Sequence, residues 1–260
     1  MILYFSGTGN TKFVAEYIAD HIGDQCISLN DVLKYKKPLE FHSEKPFVFA
    51  APIYAWGYPR IIEKLIERAK LTGSRRIYFV ASMESQTGDC DKMLWRIADK
   101  KNMRFMGFCG IPMPNNYVYG GNVPTTGEAE DKITHSLRYL EELSDKIETR
   151  AFITKIDETP FSSVLSVPVN KMFNQFMISS RSFIVSGQCM ACGQCVKVCP
   201  VNNIRISPGG VPHFGRSCLN CYACINRCPA EAINIGKRTM RTRRYVCPDY
   251  SKWKSSGLID

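Results

Sequence analysis

The chain lacks any run of about 18 apolar residues, the length a membrane-spanning helix needs, so a helical span is excluded. Its opening residues, Met1-Ile2-Leu3-Tyr4-Phe5, carry no basic segment and reach Gly7 before a long apolar stretch can form. No export signal is read there, and the expected setting is the cytoplasm. Histidine is scarce. His21, His42, His135 and His213 are scattered, and each reads as a surface or satisfied side chain, with no catalytic His–Cys pair in view. Cysteine, by contrast, is plentiful at twelve residues in 260. In a reducing compartment such cysteines point to metal or redox sites before disulfides. A hydrophobic share of 45% excludes a largely disordered chain, and the length suits one large domain or two modest ones.

The charge is lopsided, with 34 Lys and Arg against 24 Asp and Glu. Much of the excess sits in residues 237–260, which hold seven basic residues and two Asp. Such a tail reads first as a solvated end, next as a dock for an acidic redox partner protein, and last as a nucleic-acid contact through Arg238, Arg241, Arg243 and Arg244. No reader fold with interleaved aromatics accompanies those arginines, so nucleic acid is read as an unlikely partner, and without a spanning segment no membrane partner is expected.

Eight of the cysteines lie between Cys189 and Cys228, and only three precede residue 147. That break predicts a domain over residues 1–147, a linker over 148–182, a small domain over 183–236 and the basic tail 237–260. In the first, Ile2–Phe5, Phe47–Ala51 and Ile77–Ala81 read as buried strands. Helical faces follow at Ile62, Leu65, Ile66 and Ala69, after a first-turn Pro59, and at Ile133, Leu137, Leu140, Leu143 and Ile147. Strand–helix alternation implies a parallel sheet covered on both faces, and the length suits five strands. In the linker, Val169, Met172, Phe173, Phe176 and Met177 have the spacing of a short amphipathic helix, expected to be buried between the domains.

The cysteine pattern occurs twice: Cys189-x2-Cys192-x2-Cys195-x3-Cys199-Pro200, and Cys218-x2-Cys221-x2-Cys224-x3-Cys228-Pro229. This is the bacterial two-cluster run, in which three cysteines hold one cluster and the fourth reaches the other. The assignment is Cys189, Cys192, Cys195 and Cys228 for one 4Fe-4S cluster, and Cys218, Cys221, Cys224 and Cys199 for the second. Zinc sites pair two CxxC knuckles without the third and fourth cysteines, so zinc fits poorly. Phe183–Val185, Ile204–Ile206 and Ile233–Ile235 read as short shielding strands. The segment resembles the two-cluster ferredoxins. Cys26, Cys90, Cys109 and Cys247 fall outside the pattern and read as small buried residues.

After the first strand comes Ser6-Gly7-Thr8-Gly9-Asn10-Thr11, then a helical stretch. Unsatisfied amides at a helix N-terminus favour an anion, and the hydroxyls add donors. It is neither a Walker A loop nor GxGxxG. It matches every defined position of T/S-x-T-G-x-T and resembles the FMN-phosphate loop of flavodoxins. The loop Pro52-Ile53-Tyr54-Ala55-Trp56-Gly57-Tyr58 is similar to the flavodoxin loop that packs on the flavin ring, with Trp56 first and Tyr54 second as stacking residues. The next loop should face the ring edge with Ser82, Met83, Glu84 and Gly88. It has no tyrosine, so Asn116, Tyr117 or Tyr119 is expected to substitute.

Together these parts resemble the flavodoxin–ferredoxin fusion family. The resemblance implies an α/β fold with a flavodoxin-like, doubly wound, five-stranded parallel sheet, plus a small α+β ferredoxin domain. It also implies FMN, two 4Fe-4S clusters, and electron transfer between them and a partner redox enzyme. A second reading is an FMN-dependent reductase acting on a small substrate or NAD(P)H, with Pro112–Gly127 as a lid.

Overall fold

The computed structural model describes residues 1–154, 170–173 and 178–256. Strand β1 (Ile2–Tyr4) leads into helix α1 (Asn10–His21), then β2 (Cys26–Ser28) and α2 (Leu29–Lys34). Next come β3 (Glu40–Ser43), β4 (Phe47–Pro52), α3 (Arg60–Arg68), β5 (Lys70–Gly73) and β6 (Arg76–Met83). α4 (Cys90–Lys100), β7 (Arg104–Pro112) and α5 (Thr126–Glu148) complete the larger unit. Its main sheet is parallel throughout, in the order β2-β1-β4-β6-β7. This is the expected flavodoxin-like order, which places a ligand crevice at the carboxyl ends of the strands.

The central strands are apolar at consecutive positions because both faces are covered. Val48, Ala50, Tyr78 and Val80 join a core beneath α1 and α5, whereas Phe49, Ala51, Phe79 and Ala81 join another beneath α3 and α4. The alternation is the two-residue pleat of a doubly buried strand. A capping box starts α5: the Thr125 hydroxyl accepts the Glu128 amide, and the Glu128 carboxylate accepts the Thr125 amide at 2.8 Å. Of the expected α5 face only Leu137 is half-buried, and Pro59 caps α3 rather than entering its first turn. β3 and β5 form a separate parallel pair. They are mostly exposed, so no apolar run marks them in the sequence.

The smaller unit contains β8 (Phe183–Val185), α6 (Gln194–Val198), β9 (Ile204–Ile206), β10 (Pro212–Phe214), α7 (Ala223–Asn226) and β11 (Ile233–Ile235). β8 pairs with β11 and β9 with β10, both antiparallel. Residues 170–172 are helical; Met172 is 54% exposed rather than buried between domains, whereas Phe173 is half-buried and lines a cavity bounded by both units. Val169, Phe176 and Met177 lie outside the described residues.

The tail departs from the expected solvated end. Helix α8 (Tyr250–Ser255) packs on α1, with Phe13 edge-to-face against Tyr250 at 5.5 Å and Trp253 at 6.0 Å. Lys12–Asp249 at 2.8 Å and Lys254–Asp20 at 2.6 Å flank that contact. Burial of Tyr245, Cys247, Tyr250 and Trp253 outweighs solvation of the cations between them. Among the described residues no helix is long and apolar enough to cross a membrane.

Candidate functional site

Two cavities each gather four cysteines. One is bounded by Cys189, Cys192, Cys195 and Cys228, the other by Cys199, Cys218, Cys221 and Cys224. Each therefore takes three cysteines from one motif and the fourth from the other. The backbone explains the crossing. Gly193, left-handed at φ 72, turns the chain into α6. That helix stops at Val198, and Cys199 leaves it on extended backbone toward the other cavity. Among the described residues no carboxylate or imidazole lines either cavity, and an all-thiol donor set suits iron–sulfur clusters. Burial pushes the Cys221 thiol up to about 12 and raises Cys195, Cys218 and Cys224 as well. Burial disfavours the thiolate at these positions, so a metal centre bound there would supply the positive charge that offsets it. Backbone donors already reach these sulfurs: Cys199 accepts from the Asn203 amide at 3.2 Å and Cys218 from the Asn220 amide at 3.4 Å. From the larger unit, the Lys34 ammonium donates to the carbonyls of Val196, Lys197 and Cys199 at 2.9, 2.8 and 3.1 Å.

A third cavity, of about 360 Å³, opens at the carboxyl ends of β4, β6 and β7. That volume is in the range of small-molecule sites, ~300–1,000 Å³. Asn10, Tyr54, Ala55, Ser82, Met83, Glu84 and Tyr117 line it as expected. Trp56, Gly57 and Gly88 do not. Tyr54 and Gly57 exchange backbone hydrogen bonds at 2.8 and 3.2 Å, so Ala55 and Trp56, at φ 46 and 64, form a two-residue reversal. Trp56 sits at its tip and Tyr54 at its base, and Tyr54 takes the wall position first assigned to Trp56. Burial lifts the Tyr54 hydroxyl well above its ordinary range.

The phosphate loop meets the cavity through intermediaries. Thr11 Oγ1 lies 2.7 Å from Ser82 Oγ, and Asn116 Nδ2 donates to Thr8 Oγ1 at 2.6 Å. Ser82 and Asn116 line the cavity, so the loop hydroxyls stand one hydrogen bond behind its polar end. Gly9, left-handed at φ 114, begins α1 without a side-chain cap, leaving the helix end suited to an anion. Ser6, Gly7 and Gly9 instead border an outer depression with Lys12, Lys34 and Arg227. The glycines have a second duty there. A Cβ on Gly7 would collide with the Cys221 carbonyl, and one on Gly9 would lie 2.9 Å from Cys247 Cβ. The Cys247 amide donates to the Thr8 carbonyl at 2.9 Å, and the Tyr245 hydroxyl to Asn10 Oδ1 at 2.9 Å. The tail thus clasps the loop.

Cys221 and Tyr222 were not foreseen in this cavity, yet they line it from the smaller unit. One sequence signal was present: Tyr222 occupies the place that Gly193 holds in the first motif, and it shares the left-handed backbone at φ 55.

A flavodoxin domain model matches residues 1–110, and a 4Fe-4S dicluster domain model matches residues 188–232. The chain is a flavodoxin–ferredoxin fusion. Among solved structures, a flavodoxin from the domain Archaea is 17% identical at a TM-score of 0.35, covering 56% of this chain and 97% of that one. The Trp repressor binding protein from Bacillus subtilis is 18% identical at 0.38, covering 58% and 99%. Rubredoxin oxygen:oxidoreductase from Desulfovibrio gigas is 14% identical at 0.29, covering 56% and 36%. No curated protein matches the chain. The flavodoxin and 4Fe-4S dicluster domains make this fusion an FMN and iron–sulfur electron-transfer protein.

Proposed function

We propose that the fusion is an intramolecular electron adaptor between a partner redox protein, two 4Fe-4S clusters and FMN. One observation supports this above the others: Cys221 and Tyr222 line both a four-cysteine cavity and the flavin cavity. Two consecutive residues form the partition between the two sites. When bound, FMN would supply one- and two-electron exchange and each cluster one-electron exchange. Cys189, Cys192, Cys195 and Cys228 would hold the outer cluster, and Cys199, Cys218, Cys221 and Cys224 the inner one. Ser82 and Asn116, backed by Thr11 and Thr8, would hold the polar end of the flavin, with Tyr54, Tyr117 and Tyr222 along its ring.

The chain's own groups act by placement. Amide donors on Cys199 and Cys218 stabilise negative charge at the inner sulfurs, a recognised lever on cluster potential. Cys192 is exposed while Cys221 is buried, so a partner would exchange electrons at the outer cavity and leave the flavin to the inner one. The exposed tail cations Arg241, Arg243 and Lys252 would attract an acidic partner. The proposed setting is the cytoplasm, where thiols stay reduced.

An anaerobic absorbance titration of the reconstituted protein tests this. Iron and flavin assays should give about eight Fe and one FMN, as two cubanes and one flavin require. Chemically reduced ferredoxin should bleach the flavin, and NADH or NADPH alone should not. Direct bleaching by the nicotinamide would replace the adaptor with a reductase.

A further inference from the structure

A groove of about 550 Å³ adjoins the flavin cavity, and nothing above assigns it a role. Tyr117 and Tyr222 line both, so the two spaces share a wall. Tyr119 extends that wall outward. The rings of Tyr222 and Tyr117 are 5.5 Å apart, those of Tyr117 and Tyr119 6.1 Å, and the Arg238 guanidinium lies 4.4 Å from the Tyr119 centroid. The row therefore runs from the flavin cavity to a cation. Arg181 and Lys237 stand at the same rim, all three cations exposed. No carboxylate lines the groove among the described residues, and none of the three cations has an ion-pair partner within 4.0 Å among them.

Unpaired cations converging on a concave surface favour an anion, and a guanidinium offers a planar fork to a carboxylate. Aromatic faces favour a flat, unsaturated body. We propose that this groove is a binding site for a planar organic carboxylate, whose acid group meets Arg181, Lys237 and Arg238 while its flat body lies along Tyr119 and Tyr117 toward the flavin cavity. The inference rests on FMN occupying that cavity. The Arg238 guanidinium already lies over the Tyr119 ring at 4.4 Å, a cation–π contact that favours its place at the groove. The groove's volume suits a small molecule.

Calorimetric titration of the FMN- and iron-loaded protein with cinnamate, and separately with neutral cinnamamide, tests the site. Cinnamate should bind at about millimolar affinity or tighter, with cinnamamide weaker by about tenfold or more, the fold-change expected for loss of one charge-assisted contact. Cinnamate should perturb the flavin absorbance as it binds. A double substitution, Arg181→Gln with Arg238→Gln, should weaken cinnamate by at least about tenfold with iron and flavin content unchanged. Equal binding of the acid and the amide, no heat from either, or undiminished binding by the double variant overturns the proposal. Flavin and iron assays precede the titration, so a preparation without flavin counts against the cofactor reading. The heat of anion binding is read independently of flavin.

Discussion

Tyr222 adopts a backbone conformation that costs a bulky residue about 1–2 kcal/mol and costs glycine nothing. The first motif uses Gly193 at the equivalent place, so the turn between the second and third cysteines does not itself require a tyrosine. What the ring adds over glycine is a wall shared by the inner four-cysteine cavity and the third cavity. Tyr222→Gly should therefore leave iron content unchanged while weakening FMN by about tenfold or more. Dilution monitored by flavin fluorescence reads that loss, and an unaltered affinity would remove Tyr222 from the flavin wall. Cys192→Ala should cost about half the iron, one of two cubanes, and spare FMN. Iron equal to the unsubstituted protein would break the ligand assignment. Glu63 offers a test by pH. Burial, reinforced by Glu67, raises its carboxyl to about 7, and its buried Oε1 has no hydrogen-bond partner among the described residues. Its folded pKa exceeds the unfolded value. The penalty is thus absent at acid pH, grows as pH rises through the carboxylate range, and is complete above about pH 7. Glu63→Gln should stabilise the protein by about 2 kcal/mol at pH 8 and by almost nothing at pH 4, read from denaturant midpoints.

At the scale of elements, α8 carries the largest departure from expectation. Removing Trp253, 4% exposed against Phe13, should cost about 3–5 kcal/mol and free the tail from α1. Trp253→Ala is expected to lower both the thermal midpoint and flavin retention, with iron retained. A variant that loses stability but holds FMN as before would separate the tail from the phosphate loop. The charge-swap series Arg241→Glu, Arg243→Glu and Lys252→Glu then probes partner docking without disturbing that clasp. Slower electron delivery at low salt is expected, and an unchanged rate counts against tail docking. The tail was illegible because seven cations mask four buried side chains that follow no helical period from Tyr245 to Trp253. β4 and β6 were legible because each is apolar over five or more consecutive residues. The grouping of the cysteines about two cavities was legible for a similar reason: their spacing is local, and the fourth cysteine of each motif crosses to the other cavity. The smaller unit's side of the third cavity was not, because Tyr222 and Cys221 arrive from more than a hundred residues beyond the loops they face.

Over the whole molecule, one buried cluster runs from Phe13 and Ile133 of the larger unit to Cys195, Tyr222 and Trp253. Two domains recognisable in the sequence share a core in space. The expected consequence is a single cooperative transition, with iron loss and flavin release at one denaturant midpoint. Two separated midpoints would restore the picture of independent domains. The clasp of Tyr245 and Cys247 on Asn10 and Thr8 also gives assembly a direction. A ribosome finishes the flavodoxin sheet early, since domains fold as units from the N-terminus during synthesis. The phosphate loop nevertheless waits for residues made some 235 positions later before its outer side is closed. The wall of Cys221 and Tyr222 likewise waits for the cysteine domain. The anion-binding loop and the cavity beside it are therefore completed only when the C-terminal segment has been made and has folded back onto the sheet.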